Sequence, residues 1–595
     1  MLAAASAEKA KVAHVKRIRI SALGLRHFRA VALLLLIILT CFPLFAQTSS
    51  LADRLPADTV FFARWRGMNS LTAAEKTNHV MQLFDDPDFH LGRDALIKSF
   101  RDSLAKNGAK TEPATADILS ILDNSAVAGF VLNPASRSKP TSDAPVPPVG
   151  FFMVYDATGK TAVVKKLRAD LRANGKEVPT VMTYEFKGTT VEARTAGTDV
   201  SYTALTPKFY FLADQKSVIE DLITRFSSEA MPATSVTQLP EYHAIQKLVA
   251  PDATIEFFAR VPDLSKTLSS EQLAKPSAKF AENLHLNQVH VFGGSVSFAG
   301  QAARFRGAIL GDASEGSLFD IAGPSSATFA TLPVVSAGPI FSISRFNLVA
   351  LYRLLRAAAT PELTAQQTAA LGTYEAMAQG FLGMPITDAL QLFTGEFGSR
   401  TTITDDGTSL QSYAISIQKP QDLLRILRAV GSSWIAAENT VGDTTFLDLS
   451  YPYTDPVTMQ KRRESYYLAV TPTMLFATPR KAAVRAAMAL PSTKDAAATP
   501  SGLLASADAL KLRSLLPENL SGLSAADLTQ IPWDKVMAHY WQQLATAAKN
   551  ATPPGNPPPD WMKSVNPEVL TRHLSFSISG WWKDSSGIYF DSYLQ

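Results

Sequence analysis

Carboxylates and imidazoles bind cations and move protons, and one stretch concentrates them: Asp85-Asp86-Pro87-Asp88-Phe89-His90. Three carboxylates beside an imidazole supply the oxygen-rich ligand density that a divalent cation takes. The same stretch also reads as a solvated turn after a helix ending near Phe84. Glu396, in Thr394-Gly395-Glu396-Phe397-Gly398, reads as a lone acid in a cleft or as the residue after a strand-entry glycine. A single carboxylate is not an acid/base pair. Asp405-Asp406-Gly407 lies between two alternating segments and predicts a hairpin, because Asp-Gly supplies the positive φ of a tight turn.

Aromatic residues gather late in the chain, at Trp533, Trp541, Trp561, Trp581 and Trp582, with Trp65 and Trp434 apart. Such a group packs a core or offers a surface to a glycan, a lipid or a protein. The histidines after residue 46 are His79, His90, His243, His285, His290, His539 and His573, and no two stand four apart on a helix. The sequence contains no phosphate-binding loop, dinucleotide fingerprint, zinc-protease motif, nucleophile elbow or calcium loop. It therefore assigns no catalytic, cofactor-binding or metal-ligating residue and implies no cofactor.

The elements that would position these residues are strands and amphipathic helices. Val289–Phe298 and His573–Ile578 alternate with period two, as a sheet with one buried face requires. Thr161–Asn174 gathers Val163, Val164, Leu167 and Leu171 on one helical face. Thr360-Pro361-Glu362 reads as a helix start, with a capping hydroxyl, proline at the first position and an early acid. Strands come in adjacent runs as often as they alternate with helices. The expected class is α+β, with largely antiparallel sheets and helices packed on one face. Three segments read as exposed loops: Asn133–Pro148, Ser492–Ser501 and the proline-rich Thr552–Asp560.

The chain also repeats itself. Leu55-Pro56-Ala57-Asp58-Thr59 opens a strand ending at Arg64, and Leu332-Pro333 opens another ending at Arg345. Phe209–Ala213 with its following helix matches Tyr466–Val470, Leu475–Ala477 and the helix from Arg480. Val289–Phe298 matches His573–Trp581. The anchors keep their order, which predicts two tandem α+β copies, at 47–315 and 325–595. Pro251–Val261 echoes the opening strand within the first copy.

The Leu-Pro-Ala-Asp-Thr opening, the Thr394-Gly395-Glu396 junction and the Tyr-(Tyr/Phe)-Leu-Ala strand before a helix resemble a family of exported bacterial proteins catalogued as a domain of unknown function, DUF3352. The second copy lacks a clean Pro-Ala-Asp-Thr. The resemblance implies export and a repeated α+β design; it implies no activity and no site residue.

Export is also read directly from the residues. Residues 1–29 carry seven Lys and Arg against Glu8, and Val31–Ala46 is uncharged. A basic region, a short apolar run and a small residue before Gln-Thr-Ser-Ser make a signal peptide over 1–46. If it is retained, residues 31–46 tether the protein to a membrane. Cys41, the one cysteine, follows Leu39-Thr40, a poor lipid-attachment context. Removing 1–46 takes the charge from 57 basic and 53 acidic residues to 50 and 52. The basicity thus belongs to the signal and gives no reason to expect nucleic-acid binding. The expected protein is periplasmic or extracellular: a non-enzymatic scaffold or binding module for an envelope protein, lipid or polymer. The alternative is a hydrolase-type enzyme with a site shared between the halves, around Glu396 or Asp88.

Overall fold

The computed structural model describes residues 50–94, 98, 115–132, 149–172, 180–196, 199–248, 253–262, 288–298, 300–313, 316–360, 363–454, 461–488, 502–550 and 566–595. The signal segment, Trp561, His285 and the three expected loops lie outside the described residues. No helix among the described residues is long and apolar enough to cross a membrane.

The architecture is α+β: twenty strands form one sheet, and every pairing is antiparallel. The first half contributes β1 (Thr59–Trp65), β2 (Ala126–Leu132), β3 (Val149–Asp156), β4 (Thr180–Phe186), β5 (Thr189–Ala196), β6 (Asp199–Leu205), β7 (Phe209–Ala213), β8 (Ile255–Arg260), β9 (Val289–Ser297) and β10 (Ala303–Gly311). The second contributes β11 (Ile340–Arg345), β12 (Phe393–Ile403), β13 (Ser409–Ile417), β14 (Ile435–Val441), β15 (Thr444–Thr454), β16 (Lys461–Val470), β17 (Met474–Thr478), β18 (Gly522–Asp527), β19 (Phe576–Asp584) and β20 (Gly587–Leu594).

Neighbour by neighbour, the first half runs β4-β5-β6-β7-β3-β2-β1-β8-β9-β10. The second repeats this order strand for strand, as β14-β15-β16-β17-β13-β12-β11-β18-β19-β20. The two copies join last strand to last strand, β10 against β20. Such a seam has the self-complementary form of a two-fold contact.

Corresponding core positions keep one ring: Val154 stands opposite Phe211, and in the second copy Ala414 stands opposite Phe476; all four are buried. The topology also moves one sequence match. Tyr466–Val470 lies in β16, the counterpart of β6, so the partner of Phe209–Ala213 is Met474–Thr478. Short aromatic strands in adjacent positions look alike in sequence.

Helices cover one face. In the first half, Lys216–Ser227 buries Val218, Ile219, Leu222, Ile223 and Phe226 against Phe62, Phe152, Phe211 and Phe258. In the second, Ala507–Arg513 packs Ala509 and Leu512 on Phe341, Ile343, Leu523 and Ile578. The expected helix start at Thr360 is displaced. Thr360 caps the end of Leu348–Ala359, and the next helix, Ala365–Leu382, starts from Thr364 in a capping box with Gln367. The second Thr wins because Gln367 stands where the reciprocal bond needs it.

The opposite face of the central strands is largely uncovered by these helices. On it one cross-strand row reads Phe257–Gly294–Gly307–Phe590–Trp581–Gly522. The central glycines let rings from neighbouring strands lie flat. A Cβ on Gly307 would sit 2.4 Å from the Phe590 ring. Gly307→Val is therefore expected to cost about 1–3 kcal/mol by overpacking, read from thermal unfolding. Adding Phe590→Ala should restore part of that loss, and no recovery would refute the assignment.

Candidate functional site

Two carboxylates of the acidic stretch, Asp86 and Asp88, clasp the other half of the chain. Asn78 caps the helix His79–Asp85, which ends at Asp86. This helix lies against Glu568–His573 through Leu83, Val569, Leu570 and Leu574. Asp86 is buried, with Oδ2 2.8 Å from His573 Nε2 and 3.2 Å from Arg572 Nη1. Its Oδ1 accepts the Asp88 amide at 2.8 Å. Asp88 Oδ2 is bound by Arg572 Nη2 and by Asn566 Nδ2 at 3.3 Å. His79 Nδ1 donates to the His573 carbonyl at 3.0 Å. Asp85 stays exposed, and His90 is half-buried.

The His573 hydrogen bond, with help from the Asp88 amide and Arg572, holds the Asp86 carboxyl below its ordinary value. A depressed carboxylate stabilises the fold above its unfolded pKa of about 4 and loses that contribution as pH falls through the folded value. Amide protection in 79–85 and 566–573, corrected for the intrinsic exchange rate, should therefore be lost selectively as pH falls below the ordinary carboxylate value. Uniform loss across the chain would contradict this clasp.

Glu396 is likewise no lone acid in a cleft. It is buried; Oε1 accepts Thr331 N at 2.7 Å and Thr331 Oγ1 at 2.9 Å. Oε2 accepts Arg345 Nε at 3.1 Å and Nη2 at 2.8 Å. The preceding Gly395 has φ +88°, and a Cβ there would meet the Phe346 carbonyl at 2.2 Å. In the first half Arg64 of β1 pairs with Glu256 on β8 at 2.8 Å. Each copy thus neutralises an arginine of its central strand with a glutamate from a neighbouring strand. Asp405-Asp406-Gly407 closes the β12–β13 hairpin. The Thr404 hydroxyl and Thr408 amide hold Asp406 at about 2. The structure therefore does not bring Glu396, Asp88 and Asp406 together; each carboxylate is held by its own set of partners.

What it does assemble is the second face around the seam. Phe305 stacks on Phe257 at 6.0 Å and on Phe590 at 5.3 Å between ring centroids, and Phe292 lies 5.2 Å from Phe257. Phe305 is 37% exposed. Beside it opens a groove of about 400 Å³, lined from one half by Phe84, Val296 and Phe305 and from the other by Ser579, Ser592 and Leu594. The helix that carries the acidic clasp forms its wall. The clasp therefore positions the groove rather than acting within it.

At the other end of the same strands lies a wider cavity of about 670 Å³. Asn347, Gln391, Thr394, Gln418, Phe346 and Lys583 line it, and Lys583 Nζ is 3.3 Å from Asp320. The cavity holds amides and hydroxyls, with no histidine or arginine among its lining residues.

The phenylalanine face went unread in the sequence, although its signal is present. Phe61-Phe62 and Phe257-Phe258 are doublets in strands, so period two sends one ring to each face. Phe62 and Phe258 are fully buried under helices, while Phe61 and Phe257 are only half-buried. Of the tryptophans, Trp581 lies over Gly522 on this face, Trp582 stacks on Tyr589 on the other, and Trp533 Nε1 donates to the Leu528 carbonyl.

No family model matches this chain, and no curated protein matches it. Among solved structures, crystal form I of TP0453 aligns with 45% of this chain and 81% of its own at 10% identity and a TM-score of 0.22. Crystal form III aligns with 45% and 82% at 11% identity and a TM-score of 0.23. A likeness of that size transfers neither fold nor function.

Proposed function

We propose that this chain is a non-enzymatic binding module of the cell envelope, exported by its N-terminal segment, that holds an apolar ligand on the second face of its sheet. One observation carries the reading: both copies contribute to a single groove at their seam, continuous with the phenyl stack of Phe257, Phe305 and Phe590. A volume of about 400 Å³ suits a small ligand. A contiguous exposed apolar surface on a folded chain marks an interaction site. Of the three partner classes the sequence leaves open, a lipid fits this lining best.

The test is titration of the purified full chain with the uncharged apolar probe N-phenyl-naphthylamine. Saturable binding is expected, weakened about tenfold or more by Phe305→Ala. Circular dichroism of that variant should be unchanged, because Phe305 is not part of the helix-covered core. Non-saturable uptake, or equal affinity of the two proteins, would overturn the reading.

A further inference from the structure

The groove and the amide-lined cavity lie on one track. Alternate residues of β19 share a face, so Ser577, Ser579, Trp581 and Lys583 point the same way. Ser577 and Ser579 line the apolar groove, and Lys583 lines the polar cavity. Trp581 stands between them, its ring 6.2 Å from Phe346 of the cavity wall. Six residues of strand cover about 20 Å, the length of an extended alkyl chain with a head group.

We propose that this track holds one amphiphile lengthwise, its alkyl chain in the groove beside Phe305 and an uncharged, hydroxyl-bearing head such as a sugar in the cavity beside Phe346. This inference rests on the apolar-ligand reading above and adds the class of head group.

The charge pattern selects the head. The cavity lining has one cation, Lys583, already paired with Asp320. Its remaining charged lining residue is Asp584. A phosphate or carboxylate head would meet a carboxylate and no unpaired guanidinium, the opposite of an anion site. Asn347 Oδ1 caps its helix and Gln418 Nε2 donates to the Gln391 carbonyl, which leaves the Asn347 amide as donor, the Gln418 amide oxygen as acceptor and the Gln391 side chain as both, the pairing that hydroxyl groups need. Phe346 is 38% exposed and offers a flat apolar surface to a sugar ring.

Calorimetric titration of the full chain with dodecyl maltoside, dodecyl phosphocholine and dodecanoate, each below its micelle concentration, tests the assignment. The maltoside should bind about tenfold more tightly than the other two. Thr394→Val with Gln418→Ala should erase that preference by weakening the maltoside about tenfold. Phe305→Ala should weaken all three alike. Equal affinities for the three heads, or tighter binding of a charged one, would overturn the head-group inference and leave the apolar reading standing. No saturable binding of any dodecyl probe would overturn the apolar reading itself.

Discussion

Replacing Glu396 with alanine is expected to destabilise the protein by about 3–5 kcal/mol, the usual cost of breaking a buried ion pair by removing one partner. The carboxylate accepts four hydrogen bonds, two from Thr331 and two from Arg345. Its removal strands a guanidinium whose side chain is only 16% exposed. It also leaves the Thr331 amide without an acceptor, which adds a desolvation cost. Glu396→Gln keeps an acceptor for Thr331 only by turning its amide NH2 toward Arg345, so an intermediate loss is expected. The measurement is the denaturant midpoint of the three proteins. An alanine variant as stable as the parent would mean that Glu396 is not a structural anchor.

Asp591→Ala should act at the seam. Asp591 is 1% exposed and binds Arg304 through two contacts, at 3.0 and 2.6 Å, with Arg306 3.6 Å away. Burial, reinforced by the Asp591 charge, pushes the adjacent Tyr593 hydroxyl up to about 12. The pair joins β10 to β20, so it bonds one copy to the other. Because the arginines reach solvent, at 29% and 32% exposure, the expected loss is about 2–3 kcal/mol, below that of a fully enclosed pair. The loss should fall on coupling. Calorimetry should resolve two unfolding transitions in the variant where the parent shows closer coupling, since each copy keeps its own core. A variant that melts as the parent does would show that the ladder alone holds the seam.

The duplicated α+β design was legible because period-two strands, proline-led openings and following helices recur in the same order. Adjacency was not. Nothing in Asp86 indicates that its partner is His573, on a helix in the other copy, because the pairing depends on how the copies meet. Arg304 and Asp591 are equally silent, since each is an ordinary charged residue in an alternating strand. Glu396 looked available for chemistry because its partner Arg345 lies on the neighbouring strand, across a register that only the sheet reveals. The binding face was hidden in phenylalanine doublets that read as continuous core.

The most direct test of the central claim is photo-crosslinking of the full chain with a dodecyl maltoside bearing a diazirine in its alkyl chain, followed by peptide mapping. Adducts should fall on peptides from both copies, around Val296 and Phe305 in the first and Ser579 and Ser592 in the second. Labelling confined to one copy, or to the helix-covered face around Phe62 and Phe341, would contradict a shared apolar site at the seam.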